Sequence, residues 1–156
     1  MKRRRRGSSL IEIIIATAVV GGILTAVATA LTFSIKSTAE ANYRSVATTK
    51  AQEAMEIFRR ERTLLGWNDF YDAVNGDTYY CFNTLPDAGT LASVAEGRCN
   101  TSYTLQVAGV GTNFKRDIVV STGSDLVTVT VTVSWKNPNN LARDHKVEIS
   151  QDIRRW

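Results

Sequence analysis

The 156-residue sequence predicts an α+β fold, a long N-terminal α-helix, transmembrane in its first half, packed on a four-stranded antiparallel β-sheet. Three observations predict it. A nearly all-apolar stretch from Leu10 to Leu31 runs on into a second helical segment free of proline and glycine. Within Leu126–Trp135, residues 127 to 135 alternate strictly between apolar and hydroxyl side chains. Between these parts lies a turn-rich region bracketed by two cysteines. The expected organisation is a basic leader at 1–7, an apolar half-helix at 8–33, an amphipathic half-helix at 34–66, a disulfide-containing loop region at 67–100 and a sheet at 101–156.

Length allows one core and one extra element. The net charge of +4 is unevenly placed. Lys2 and Arg3 to Arg6 put five positives in the first six residues; without them Lys+Arg falls from 19 to 14, against 15 Asp+Glu. The body is therefore near neutral, and no nucleic-acid partner is expected. Arg143, Arg154 and Arg155 are read as a solvated edge in preference to a patch for DNA capture.

The apolar stretch spans roughly 33 Å as a helix, enough to cross a bilayer's hydrocarbon core. The basic run before it predicts a cytoplasmic N-terminus and an outward C-terminal bulk. Three readings fit such a start. One is a signal peptide cut at Ala26-Val27-Ala28 or Ala28-Thr29-Ala30, and another is an uncut signal anchor. The third is a leader cut before the apolar stretch, at Gly7–Ser8. Glu12 discriminates among them, because a carboxylate in an apolar span is costly and a signal peptide gains nothing from it. Ser9-Leu10-Ile11-Glu12 also spells a capping box, which accounts for the carboxylate alone but not for the surrounding pattern.

That pattern is a basic run, a glycine, a serine pair, an apolar triplet closed by glutamate and then an unbroken apolar helix. GSSLIEIIIA resembles the N-terminal signature of type IV pilins and pseudopilins. The resemblance implies that a prepilin peptidase cuts after Gly7 and methylates the new N-terminus at Ser8, which makes Glu12 the fifth residue of the mature chain. The family usually begins its mature chain with Phe or Met, where this sequence has Ser8. It implies too that the Ser8 amine of one subunit pairs with Glu12 of a neighbour in a filament. A charge-assisted bond in low dielectric is far stronger than in water. Its expected partners are therefore the peptidase, other pilin subunits and, before assembly, inner-membrane lipid; the expected final location is an extracellular filament. Ala51-Gln52-Glu53-Ala54-Met55-Glu56 and the Val-rich strand into Trp135 look most like minor pilins. A type II secretion pseudopilin is the alternative within the family. A membrane-anchored extracytoplasmic binding domain without an assembly role is the alternative outside it.

Gly21 and Gly22 weaken the helix in mid-span and also permit close packing. The family's filament helices stretch or melt locally, and this pair is one candidate site for that. In the second half-helix Tyr43, Ala47, Ala51, Ala54, Phe58 and Leu65 recur at helical spacing, with Val46, Ile57 and Leu64 alongside. Gly66 is the expected C-cap of a helix of about 55 residues.

The two cysteines, Cys81 and Cys99, allow one pairing, and the outward orientation places them where thiols oxidise. Closing that loop is worth about 3 kcal/mol on the chain-entropy model. Strands are expected at Thr78–Phe82, Tyr103–Val107, Phe114–Val120, Leu126–Trp135 and His145–Ile153, the last four forming a meander on the helix. Asn137-Pro138-Asn139-Asn140 reads as a turn, and His145 as a solvated turn residue. With one histidine, no nucleophile–base pairing and no phosphate loop, no enzymatic activity, cofactor or metal is expected.

Overall fold

A computed structural model describes residues 8–74, 76, 78–99, 104–110, 112–137 and 140–155. It shows a long helix, α1 (Ser8–Ala73), followed by strands β1 (Thr78–Cys81), β2 (Phe114–Thr122), β3 (Leu126–Asn137) and β4 (Asn140–Arg154). The chain divides into two compact units, Met1–Ala41 and Asn42–Trp156.

In the first unit the helix carries one charge, Glu12, between Leu10 and Ile35, and every residue of that stretch is exposed. By length and composition it is able to cross a membrane, and none of that span is buried within the chain. Its threonines do not break the pattern. Thr17, Thr25, Thr29 and Thr32 each donate a hydroxyl to a carbonyl one turn back, at 2.8–3.1 Å. Each of these four hydroxyls is thus satisfied inside the helix, as a hydrocarbon environment demands.

In the second unit the rest of α1 packs on the sheet. Ala47, Ala51, Ala54 and Phe58 are fully buried, and Tyr43, Val46 and Leu65 line the flank. The small alanines let helix backbone approach strand backbone, while Phe58 stacks on Phe82 with centroids 5.8 Å apart. Leu64, expected beside the stripe, is 59% exposed. Helical periodicity turns it onto the outer face, away from Phe58 and Leu65.

Gly66 ends this run with φ 78° and ψ 179°. The helix is thus broken at the expected glycine, but it resumes at once and continues to Ala73, where a loop was expected. The reason is packing: Trp67, Phe70, Tyr71 and Val74 recur at i, i+3, i+4 and i+7, with Phe70 and Val74 fully buried.

The sheet is an antiparallel meander in the order β1-β2-β3-β4. Its first strand is Thr78–Cys81, which pairs with β2 from Thr78↔Val120 to Cys81↔Asp117. The expected strand at Tyr103–Val107 does not form. Tyr103 lies outside the described residues, and Leu105 makes an isolated bridge to Phe114. Since the Tyr79 and Cys81 neighbourhood already occupies β2's edge, the later segment has only its end to pair with.

The alternation in β3 holds from Val127 to Val133, while Ser134, expected on the open face, is buried. Val127, Val129, Val131, Val133 and Trp135 are all fully buried, and Thr128, Thr130 and Thr132 face away. Each such valine contributes about 1.5–3 kcal/mol relative to exposure. β4 reaches back to Asn140, so His145 is a strand residue opposite Trp135 and stacks on its ring at 5.6 Å. A turn assignment fails there because Val147, Ile149 and Ile153 pull the whole segment onto the sheet. The core of the expected turn, Pro138 and Asn139, lies outside the described residues.

Candidate functional site

The residues singled out by sequence fall in two places. Helix α1 begins at Ser8, and Glu12 follows one turn later, about 6 Å along the axis. Glu12 is exposed and has no hydrogen bond or ion pair among the described residues. Around it Leu10, Ile11, Ile13, Ile14 and Ile15 are 57–65% exposed. The site is thus a carboxylate in an apolar surface that no described residue covers. Gly7 and the side chains of Ser8 and Ser9 lie outside the described residues, so the cleavage junction and the capping box are not seen. Helix α1 passes unbroken through Gly21 and Gly22, and a Cβ at either would meet nothing within 4 Å. Neither glycine is needed for packing within the chain.

The second place is where the outward domain is held together. Cys81 and Cys99 form a disulfide, with Cα atoms 4.7 Å apart. It closes the segment that follows β1. The Cys99 N–H donates to Asp117 Oδ1 at 2.6 Å, fixing the bridge to β2. Beside it sits Arg116, 1% exposed. Its Nε donates to the Phe82 carbonyl and its Nη1 to the Lys50 carbonyl, both at 2.7 Å. Glu53 Oε2 stands 3.7 Å from Nη1. Burial pushes the guanidinium pKa down to about 10, with Glu53 partly offsetting it. One side chain therefore ties helix, disulfide loop and sheet together.

Glu61, fully buried, does the same for the turn after β1. Both its carboxylate oxygens accept the Gly89 N–H, at 2.9 and 3.0 Å, and Arg60 donates to Oε1. Arg60 also reaches the Pro86 carbonyl at 3.3 Å.

Sequence reasoning missed both buried charges. Arg116 was visible as an inward position in Phe114-x-Arg116-x-Ile118-x-Val120, and Glu61 as a stripe position three residues after Phe58. Among the described residues no group of three or more His, Cys, Asp or Glu is placed to hold a metal. Arg154 and Arg155 lie at the end of β4; Arg155 stands 3.9 Å from Asp125, and the Arg143 side chain is outside the described residues.

No family model, curated protein or solved structure matches this chain.

Proposed function

We propose that the chain is a minor pilin, a structural subunit of a type IV pilus. A prepilin peptidase removes residues 1–7 by cutting at Gly7–Ser8 and methylates the Ser8 amine. The apolar half of α1 anchors the subunit in the cytoplasmic membrane, N-terminus inside and β-domain outside, until it is extracted into the filament. There the Ser8 amine of one subunit meets Glu12 of another.

The observation that carries this reading is Glu12, an exposed carboxylate without a partner among the described residues, in a helix that is otherwise apolar. An isolated charge in hydrocarbon is a penalty; a charge paired across packed helices sets their register. The Gly7–Ser8 junction ahead of it supplies the positive partner once cut. The disulfide suits an oxidising compartment.

The test is the intact mass and N-terminal sequence of the protein isolated from its own host's membranes. Loss of Met1 to Gly7 with one added methyl on Ser8 is expected. A start at Thr29 or Leu31 would establish a signal peptide instead, and an uncut chain would establish a plain anchor. Glu12→Ala should leave processing intact and lower incorporation into filaments. Unchanged incorporation would refute the pairing role.

A further inference from the structure

The sheet has two edges, and the chain treats them differently. On the β1 side the backbone is covered. The Gly97 N–H donates to the Tyr79 carbonyl at 2.6 Å, and Tyr80 forms an antiparallel bridge with Glu96. Leu105 and Phe114 exchange both their bonds at 2.9 Å. On the other side lies β4, 15 residues long. Among the described residues no backbone group pairs with its outer edge. A long open edge is a template for another strand.

The direction of its free groups follows from one bond. The Arg155 N–H donates to the Asp125 carbonyl on the β3 side. Antiparallel alternation then turns the odd residues' backbone groups toward β3 and the even residues' outward. The Arg154 carbonyl fits this, since it accepts Arg62 Nη2 from outside the sheet at 3.0 Å. The even residues are also those with exposed side chains, while Val147, Ile149 and Ile153 face the core.

Those exposed side chains are Asp144, Lys146, Glu148, Ser150, Asp152 and Arg154. Their charges run minus, plus, minus, none, minus, plus. We infer that β4 is a self-association edge, on which a second copy of this chain pairs its own β4 antiparallel about a two-fold axis through Ile149. That register sets Asp144 opposite Arg154 and Lys146 opposite Asp152, giving four ion pairs by symmetry, with Glu148 opposite the neutral Ser150. Each even-to-even pair is a hydrogen-bonded pair, as the free backbone groups require. A shift by two residues one way opposes Glu148 to Glu148 and Asp144 to Asp152. A shift the other way opposes Glu148 to Asp152 and Lys146 to Arg154. Shifts by four make two ion pairs in place of four, Lys146 with Glu148 one way or Glu148 with Arg154 the other. In the single chain Lys146 stands 3.3 Å from Glu148, both more than half exposed, and Asp152 accepts the Thr128 hydroxyl. Such exposed contacts are weak and yield readily.

The two-fold axis reverses the direction of helix residues 42–65 in the second copy. The pairing therefore joins copies from two opposed arrays, or copies free in solution, and does not depend on the pilin reading.

The test is a charge exchange in the full-length chain, disulfide intact, in mild detergent, with the dimer constant read by sedimentation equilibrium. Lys146→Asp and Asp152→Lys should each weaken the dimer by about tenfold or more, since each turns two cross-strand attractions into repulsions. The combined exchange should restore it to within about threefold. Restoration alone does not fix the register, because in the doubly exchanged chain a two-residue shift also sets Glu148 opposite the lysine at position 152 and the carboxylate at position 146 opposite Arg154; cross-linking through Ile149→Cys, which that shift moves off the axis, separates the two. In the doubly exchanged chain a four-residue shift either sets the new carboxylate at position 146 against Glu148 or leaves both exchanged positions unpaired. A wild-type chain that stays monomeric overturns the proposal, as does a dimer indifferent to the single exchanges or one that the combined exchange fails to restore. Independently of charge, Ile149→Cys should give a disulfide-linked dimer on oxidation and Val147→Cys should not; equal cross-linking at both overturns the register.

Discussion

Replacing Arg116 with methionine isolates the tie between helix and sheet. Methionine keeps the stem's volume and removes the guanidinium. Two charge-assisted bonds are lost, to the Phe82 and Lys50 carbonyls. Gross, these are worth about 1.5–3 kcal/mol each. Against that, the fold no longer has to desolvate a buried cation, which costs several kcal/mol. Two further details decide the sign. The Lys50 carbonyl lies inside α1, where the helix ladder also serves it, and Glu53 keeps Lys50 Nζ at 2.7 Å. The Phe82 carbonyl loses its guanidinium donor in a buried place, a penalty of about 1–3 kcal/mol. The net expectation is a loss of about 2–3 kcal/mol. The assay is urea unfolding in mild detergent, followed by the fluorescence of the buried Trp135. With a slope of about 2 kcal/mol per molar, the midpoint should fall by about 1 M. Arg116→Lys, able to reach one carbonyl at a time, should lie between. A midpoint unchanged or raised by Arg116→Met would show that desolvation outweighs the bonds, and the argument from the orphaned carbonyl would fail.

Three other outcomes follow from the fold. Gly66→Ala should cost about 1–3 kcal/mol in the same unfolding assay. Its φ of 78° with ψ of 179° suits glycine alone, and no contact within 4 Å complicates the reading. The double change Cys81→Ser with Cys99→Ser should cost about 3 kcal/mol, measured against wild type with and without reductant. Burial, helped by Glu96, raises the Tyr80 phenol above its usual 10. The folded state then holds this proton where the unfolded chain releases it, so the stabilisation is complete below pH 10 and is lost as pH rises through the folded value. Tyr80→Phe should flatten that alkaline decline in pH-dependent melting; an identical decline would assign it to another group.

How legible this was depends on how far apart the deciding residues lie. The valine ladder of β3 was readable because strict alternation over nine residues has one explanation. The helix stripe was readable for the same reason, although Leu64 shows that a neighbour of a stripe residue is not thereby inside it. Arg116 was legible only as an oddity. Its acceptors belong to residues 34 and 66 positions away, and nothing local announces them. The helical turn after Gly66 was present as the spacing of Trp67, Phe70, Tyr71 and Val74, but a glycine at its head looked like an ending. The choice of β1 over the Tyr103–Val107 segment was set by tertiary pairing, since both are short and plausible strands. At the N-terminus the spacing of Gly7, Ser8 and Glu12 was the whole signal. The fold leaves Glu12 exposed, with no partner among the described residues.

The covered side of the sheet has one further consequence. Each chain brings a single usable edge, since the segments around Gly97 and Leu105 occupy the other. Any growth by strand addition consumes that edge in the first step and leaves none for a second. Growth of the sheet through a paired β4 therefore ends at one added unit. The cap on β1 is thus a chain terminator as well as a brace.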